Sequence, residues 1–497
     1  MIFFSWHTFW PVLSAVLYAM NMCIAVYASV SMILRKQDPV KTLSWTAVMI
    51  LLPYIGIILY LTFGQNYRKK KMFSRKGLAD LKTRKEICAD EKDALDSCPE
   101  FLSGDLAPFK KLIYQNLRNS YSLIDFNNGI EFCFDGKSAL DAMYNAIFNA
   151  RNHIHIQTYI LENDRIGNKF ISLLMEKAQS GVEVRLMYDD VGSGGIGKSL
   201  RKQMKAAGIE VLVFSPVHFF MPMSKINYRN HRKILVVDGD TGFLGGVNIA
   251  DRYYYGTEKG SWRDTQIKIT GESVFSLQAS FLLDRYFVLN HRMHYSKKYY
   301  PSIKIGKKTL SVQNKDVYSQ IISSGPDSDW AGIMQCFFTA ITSSQSRIYI
   351  VTPYFTPNST ILNAVKVAAL GNIDVRLMIP QRGDSRMAHY GTRSYITELL
   401  EAGVKIYLFK EGFNHSKVIS VDGKMAIIGS ANMDQRSFEH NFEVMGVLYD
   451  SGCSARVEKR FEEDMALCEK VELEEWKRRS LGQKISESFY RLLSPLI

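Results

Sequence analysis

The feature that most constrains this chain is a six-position pattern that it carries twice. His231, Lys233, Asp238, Gly245, Gly246 and Asn248 recur at identical spacing as His415, Lys417, Asp422, Gly429, Ser430 and Asn432. Chance accounts poorly for two such copies, so the chain must hold two halves that fold alike. In the second copy, the alternating runs 418–421 and 425–428 predict neighbouring strands joined by a turn at Asp422-Gly423. His415 and Lys417 are two apart, so both side chains leave one face of the sheet. Gly429 and Ser430 let backbone and a hydroxyl approach an anion, and Asn432 adds an amide. A histidine, a fixed ammonium and small donors on one spot suit a phosphate ester.

The repeat extends beyond the motifs. In the first half, apolar helical patterns at 139–150 and 170–180 lead to strand patterns at 154–160 and 182–188. In the second, 334–343 and 361–370 lead to 348–354 and 373–379. Helices alternating with short apolar strands predict an α/β fold, a mixed sheet flanked by helices in each half. The two halves would form a pseudo-dimer within one chain. The motif strands then face each other at the seam, where pockets form. His-x-Lys-x4-Asp, twice, followed by Gly-Gly/Ser-x-Asn, resembles the phospholipase D superfamily. Past each motif an acid recurs: Glu443 corresponds to Asp264 if the first half carries a five-residue insertion. A neutral histidine needs its second ring nitrogen held by an acceptor, and these two carboxylates are the expected orienters.

Between 1 and 34 there is no Asp, Glu, Lys or Arg and His7 is the only histidine, and 10–34 is long enough to span a bilayer. A short basic link precedes a second apolar run, 43–63, with Trp45 and Tyr60 near its ends as interface anchors. Pro53 and Gly56 interrupt that run, which fits a kinked span or a re-entrant hairpin. The following block, Arg68 to Lys71 with Arg75 and Lys76, outweighs the link in positive charge. The positive-inside rule therefore places the large C-terminal part in the cytoplasm, with a multi-pass anchor in the plasma membrane. The net charge of +13 favours an anionic partner without choosing between nucleic acid and an acidic membrane. Seven scattered cysteines with no Cys-x-x-Cys argue against a disulfide framework or a zinc site.

The resulting organisation is a two-span anchor over 1–65, a basic connecting segment over 66–115, and a first half over 116–310. A second half over 311–470 and an amphipathic tail over 471–497 complete it. That tail mixes aromatic and aliphatic residues with lysines and arginines, and suits either a membrane-lying helix or one packed on the second half. The aromatic stretch 217–223 suits a lipid-facing lip or buried packing, and His153 and His155 read as packing residues. The Gly/Ser run after Asp189-Asp190 lacks the signature of a phosphate-binding P-loop.

The leader, with Pro53 to Gly64 closing its second run, resembles that of bacterial cardiolipin synthases. That resemblance implies a phosphatidyltransferase joining two phosphatidylglycerol molecules into cardiolipin and glycerol through a phosphohistidine. It assigns catalysis to His231, Lys233, Asp238, His415, Lys417 and Asp422, with His231 attacking and His415 as acid/base. Asn248, Asn432 and Ser430 would hold the substrate phosphate, and Asp264 and Glu443 would orient the histidines. No metal or other cofactor is expected, and Asp238 and Asp422, at the far strand ends, also suit a turn-holding role. A hydrolase using water, or transfer to another acceptor, uses the same chemistry. A superfamily nuclease is disfavoured by the paired apolar runs, so the expected partners are an anionic phospholipid and the membrane, not nucleic acid.

Overall fold

The computed structural model describes residues 6–34, 39–61, 78–216, 228–289, 297–300 and 317–492. The basic block at 68–76 and the aromatic stretch 217–223 lie outside the described residues. Two compact units emerge: 1–70 with 218–227, and 71–217 with 228–497.

In the first unit a 29-residue helix, Trp6–Leu34, contains the segment Phe9–Leu34, long and apolar enough to cross a membrane. At 1.5 Å per residue this helix is about 43 Å long, more than a bilayer core requires. The second apolar run does not continue as one helix. Pro39–Leu51 is followed by a break at Leu52 to Tyr54 and a short helix, Ile55–Leu59. Tyr54 takes a φ of 66° there. Trp45 and Tyr60, expected at opposite ends of a span, meet edge to face with centroids 5.9 Å apart. The run therefore doubles back at Pro53. Gly56 is required for this, because a Cβ there would stand 2.3 Å from the Val48 carbonyl oxygen. The Ser29 and Thr46 hydroxyls, 2.8 Å apart, and the Tyr54 amide, donating to Asn21 Oδ1, tie these segments to the long helix.

The second unit carries the repeat. The first half supplies β1 (Asp125–Cys133), β2 (His153–Thr158), β3 (Glu183–Asp189) and β4 (Glu210–Phe214). It continues with β5 (Ile234–Val237), β6 (Thr241–Gly245), β7 (Ser261–Arg263) and β8 (Gln266–Thr270). The second half supplies β9 (Val317–Ser324), β10 (Arg347–Val351), β11 (Phe355–Thr356), β12 (Asp374–Pro380), β13 (Lys405–Phe409) and β14 (Gly412–Asn414). It ends with β15 (Val418–Val421), β16 (Met425–Gly429), β17 (Met433–Asp434), β18 (Glu443–Tyr449) and β19 (Cys468–Lys470). Strand order along the main sheet is β19-β13-β12-β10-β15-β16-β18-β9-β1-β8-β6-β5-β2-β3-β4. Read outward from the β9–β1 junction, the two halves repeat one order. In each, the outer strands pair parallel and the motif hairpin pairs antiparallel, so the sheet is mixed.

Burial follows from this duplication. One core fills the first half, and another fills the second half together with residues of the 88–124 segment. A third is shared, with Val236 and Leu244 of the first half packed among Ala426, Ile428 and Val444 of the second. That shared apolar layer fixes the mutual position of the two motif hairpins. The helix Leu481–Leu492 packs on the second half through Tyr490, stacked on Tyr390, and Arg491, bonded to Glu398. Its opposite side leaves Leu481, Ile485, Phe489 and Leu492 exposed.

Both motif hairpins close through a left-handed Asp-Gly pair: Asp238 and Gly239 at φ 53° and 75°, Asp422 and Gly423 at 55° and 66°. This matches the two-residue turn that strand twist favours. The aspartates also anchor backbone. Asp238 accepts from the amides of Arg151, Asn152 and His153, and Asp422 from those of Gln345, Ser346 and Arg347. His153 and His155 are fully buried and stack among Phe281 and Tyr299, as packing residues would.

Candidate active site

His231 and His415 each precede their motif strand by a few residues, and each is held by the other half. The His231 amide donates to the Phe442 carbonyl, and the His415 amide donates to the Arg263 carbonyl. The acid following each of those carbonyls then meets the imidazole. Glu443 lies 3.0 Å from His231 Nδ1, and Asp264 lies 2.6 Å from His415 Nδ1. The acid that follows one motif thus serves the histidine of the other. Residue numbering alone could not show this exchange, because it depends on how the halves pack.

The two sites differ in detail. His231 Nδ1 faces two acceptors, Glu443 and the Ser430 carbonyl at 3.1 Å, which places its proton on Nδ1 and leaves Nε2 as the free base. His415 Nδ1 faces the Asp264 carboxylate but also the Lys417 ammonium at 2.8 Å. The Ser430 hydroxyl donates to Glu443 at 2.5 Å and accepts from the Val444 amide. Gly246 stands in its place in the first half, and a Cβ there would be 2.2 Å from Asp264 Oδ1. The shorter acid brings its carboxylate nearer the backbone and fills the space that Ser430 occupies opposite. Serine with glutamate in one half answers glycine with aspartate in the other.

Burial dominates the electrostatics. It pushes the His231 imidazole down to about 4 against the charge of Glu443, and holds His415 well below its ordinary value with Lys417 and Lys233 adding to the effect. Both rings are neutral bases near pH 7. Burial also lowers Lys233 to about 7 and Lys417 to about 8, although the two carboxylates pull them upward. Asp264 is raised to about 6 by burial. For Glu443 burial acts upward, but His231 and Lys233 outweigh it and the net shift is downward. Each lysine donates to the carbonyl of the histidine two residues before it.

His231, His415, Asn248 and Asn432 line one cavity of about 1140 Å³ built from both halves. Asn248 is committed within the protein: its Oδ1 accepts from the Ile160 amide and its Nδ2 meets the Tyr253 hydroxyl at 2.6 Å. Asn432 donates to Asp434, while its Oδ1 is buried with no partner among the described residues. Of the residues grouped with this set by sequence, Lys233, Lys417, Asp264 and Glu443 do not line the cavity but contact its two histidines, and Ser430, Asp238 and Asp422 take other roles. The Ser430 hydroxyl is engaged by Glu443 and Val444, so it clamps a carboxylate and does not line the cavity. Asp238 and Asp422 sit at the far turns of their hairpins and hold backbone amides. Sequence reading also missed cavity residues. Tyr159 packs edge to face on His231 at 4.9 Å, while Tyr253, Trp262 and Phe413 surround His415. Arg252 and Arg436, each four residues after a motif asparagine, both line the cavity. That shared spacing was the available signal.

Two pseudo-symmetric lobes closing over a pair of histidine–carboxylate couples define a protein of the phospholipase D pattern. The family described as "Cardiolipin synthase, PLD-like domain" matches residues 143–262 and 337–465, and a "Phospholipase_D-nuclease N-terminal" family matches 23–65. A cardiolipin synthase of Oceanobacillus iheyensis is 36% identical over 98% of this chain and 100% of its own length. One of Geobacillus thermodenitrificans is 38% identical over 96% of this chain and 92% of its own. The chain belongs to this cardiolipin synthase family. In fold it is also similar to the crystal structure of a phosphatidylserine synthase of Haemophilus influenzae. That likeness has TM-score 0.57 and 17% identity, covering 78% of this chain and 98% of that one.

Proposed function

We propose that this protein is a membrane phosphatidyltransferase that makes cardiolipin and glycerol from two phosphatidylglycerol molecules. The observation that carries the reading is the pair of neutral histidines on one cavity, each with Nδ1 against the other half's carboxylate. In the first step His231 Nε2 attacks phosphorus, a P–N bond forms and the bond to the leaving glycerol oxygen breaks. His415, protonated when the phosphodiester anion raises its proton affinity, gives that proton to the departing alkoxide. The neutral His415 then takes the proton of the second lipid's hydroxyl, whose oxygen attacks phosphorus and displaces His231. Lys233 and Lys417 stabilise the nonbridging oxygens once anionic substrate draws them from the carbonyls that they now bond. Glu443 and Asp264 orient the two rings.

The doubled-back run at 39–61 supports an anchor of one full span and a re-entrant hairpin over a second full span. The basic residues after it favour a cytoplasmic catalytic part at the plasma membrane. We assign the two lobes to 116–310 and 311–470, with residues of the 88–124 segment packing into the core of the second.

Denaturant-quenched digestion at neutral pH, which spares the acid-labile P–N bond, after brief exposure to phosphatidylglycerol tests the mechanism. A phosphatidyl adduct on the peptide holding His231, absent from His231→Ala, supports it. An adduct on the peptide of His415 reverses the two roles.

A further inference from the structure

The two histidine sites are nearly symmetric, yet transfer between two lipids needs one molecule to be donor and the other acceptor. One departure from symmetry on the cavity wall is the insertion that follows Tyr255. It forms a tight hairpin, Gly256 to Gly260, closed by the Thr257–Gly260 bridge. The hairpin is pinned across the seam. β7 pairs parallel with β14, and Ser261 gives both its amide and its hydroxyl to the Glu411 carbonyl. Gly260 lies so close that a Cβ would be 2.9 Å from Gly412 Cα.

The contact brings Lys259 of one half and Lys410 of the other onto one cavity wall, with Arg382 from the loop after β12. All three are exposed, and none forms an ion pair among the described residues, although Glu258 and Asp384 share the wall. Asp384 instead accepts from the Tyr354 hydroxyl. By contrast Arg252, on the same wall, is neutralised by Glu162 at 2.6 Å. The strand that follows Lys410 runs directly into His415. On the same wall the unpartnered Asn432 Oδ1, nine-tenths buried, can only accept, which suits a hydroxyl and not a phosphate oxygen.

We infer that Lys259, Lys410 and Arg382 form an acceptor subsite that binds the phosphodiester of the incoming lipid. Its glycerol headgroup then reaches inward to His415, with Asn432 accepting from the hydroxyl that does not react. The inference rests on the transferase reading and adds to it: the inserted hairpin decides which lipid accepts.

The test offers the phosphatidyl-enzyme two acceptors at once, phosphatidylglycerol and labelled glycerol, which carries no phosphate. In the wild type both cardiolipin and labelled phosphatidylglycerol form. Replacing Lys259 and Lys410 by Ala lowers the ratio of cardiolipin to labelled phosphatidylglycerol about tenfold, through loss of two charge-assisted contacts. The Lys→Arg pair restores the ratio, which a collapsed fold would not allow. A ratio that stays constant, whether both rates fall or neither does, overturns the subsite. Glycerol phosphate as a third acceptor separates lipid from soluble phosphate: if only its use declines in the Ala pair, the lipid assignment fails. If the wild type forms neither cardiolipin nor labelled phosphatidylglycerol, the transferase reading itself has failed instead.

Discussion

Glu443 reaches across the seam to hold His231 at 3.0 Å, although 212 residues separate them in sequence. Each imidazole takes its carboxylate from the other half, so the two halves build one site and not two. Glu443→Gln keeps the shape but loses the charge that stabilises the ring when it carries positive charge. The expected loss is on the order of 10²-fold in kcat with little change in KM, checked by steady-state assay. A change confined to KM contradicts the orienting role.

The Asp264–Gly246 contact gives a compensation test. Gly246→Ser drives a side chain into the Asp264 carboxylate and should destabilise the fold by about 1 to 3 kcal/mol. Adding Asp264→Glu recreates the Ser430–Glu443 arrangement of the second half and should recover part of that loss. Denaturant midpoints of Gly246→Ser, Asp264→Glu and the double variant, set against the wild type, measure the coupling.

Asp264 sets a pH limb. Its folded value of about 6 stands above the ordinary carboxyl value of 3.8. Folding stability from this group is therefore greatest below the unfolded value and declines as pH rises through about 6. Activity runs the other way, because the ionised form is what holds His415. kcat/KM should rise through about 6 and fall where Lys233, at about 7, and Lys417, at about 8, lose their protons. In Asp264→Asn the acid limb near 6 should disappear from the residual activity.

Asp238 and Asp422 should behave as structural residues despite their place in the motif. Each accepts three backbone amides at the turn. Asp422→Ala should cost about 1 to 3 kcal/mol of stability while kcat at permissive temperature stays near wild type. A loss of kcat with unchanged melting would place Asp422 in the chemistry.

Ser430→Ala separates two readings of one hydroxyl. If Ser430 clamps Glu443, the variant mimics a weakened Glu443→Gln, with kcat lowered and KM unmoved. A raised KM would return Ser430 to the substrate phosphate.

Much of this was legible in the sequence, because it rests on local rules. Six matched positions identified both hairpins, Asp-Gly announced their turns, and the alignment of Asp264 with Glu443 survived its five-residue offset. What the sequence withheld was tertiary. The exchange of carboxylates between halves comes from the shared core around Val236, Ala426 and Val444, whose two-sidedness no spacing reveals. Ser430 looked like an anion ligand because its partner, Glu443, is near only in space. The apolar run at 43–63 had the length of a span, and Pro53 with Gly56 marked its weak point. Its doubling back at that point emerged only from the contact of Trp45 with Tyr60.

The most direct measurement is the product analysis of purified protein in detergent with labelled phosphatidylglycerol, beside His231→Ala and His415→Ala. The account predicts cardiolipin and glycerol in equal amounts from the wild type and neither from the variants. Phosphatidic acid as the only lipid product, or cardiolipin from either variant, would contradict it.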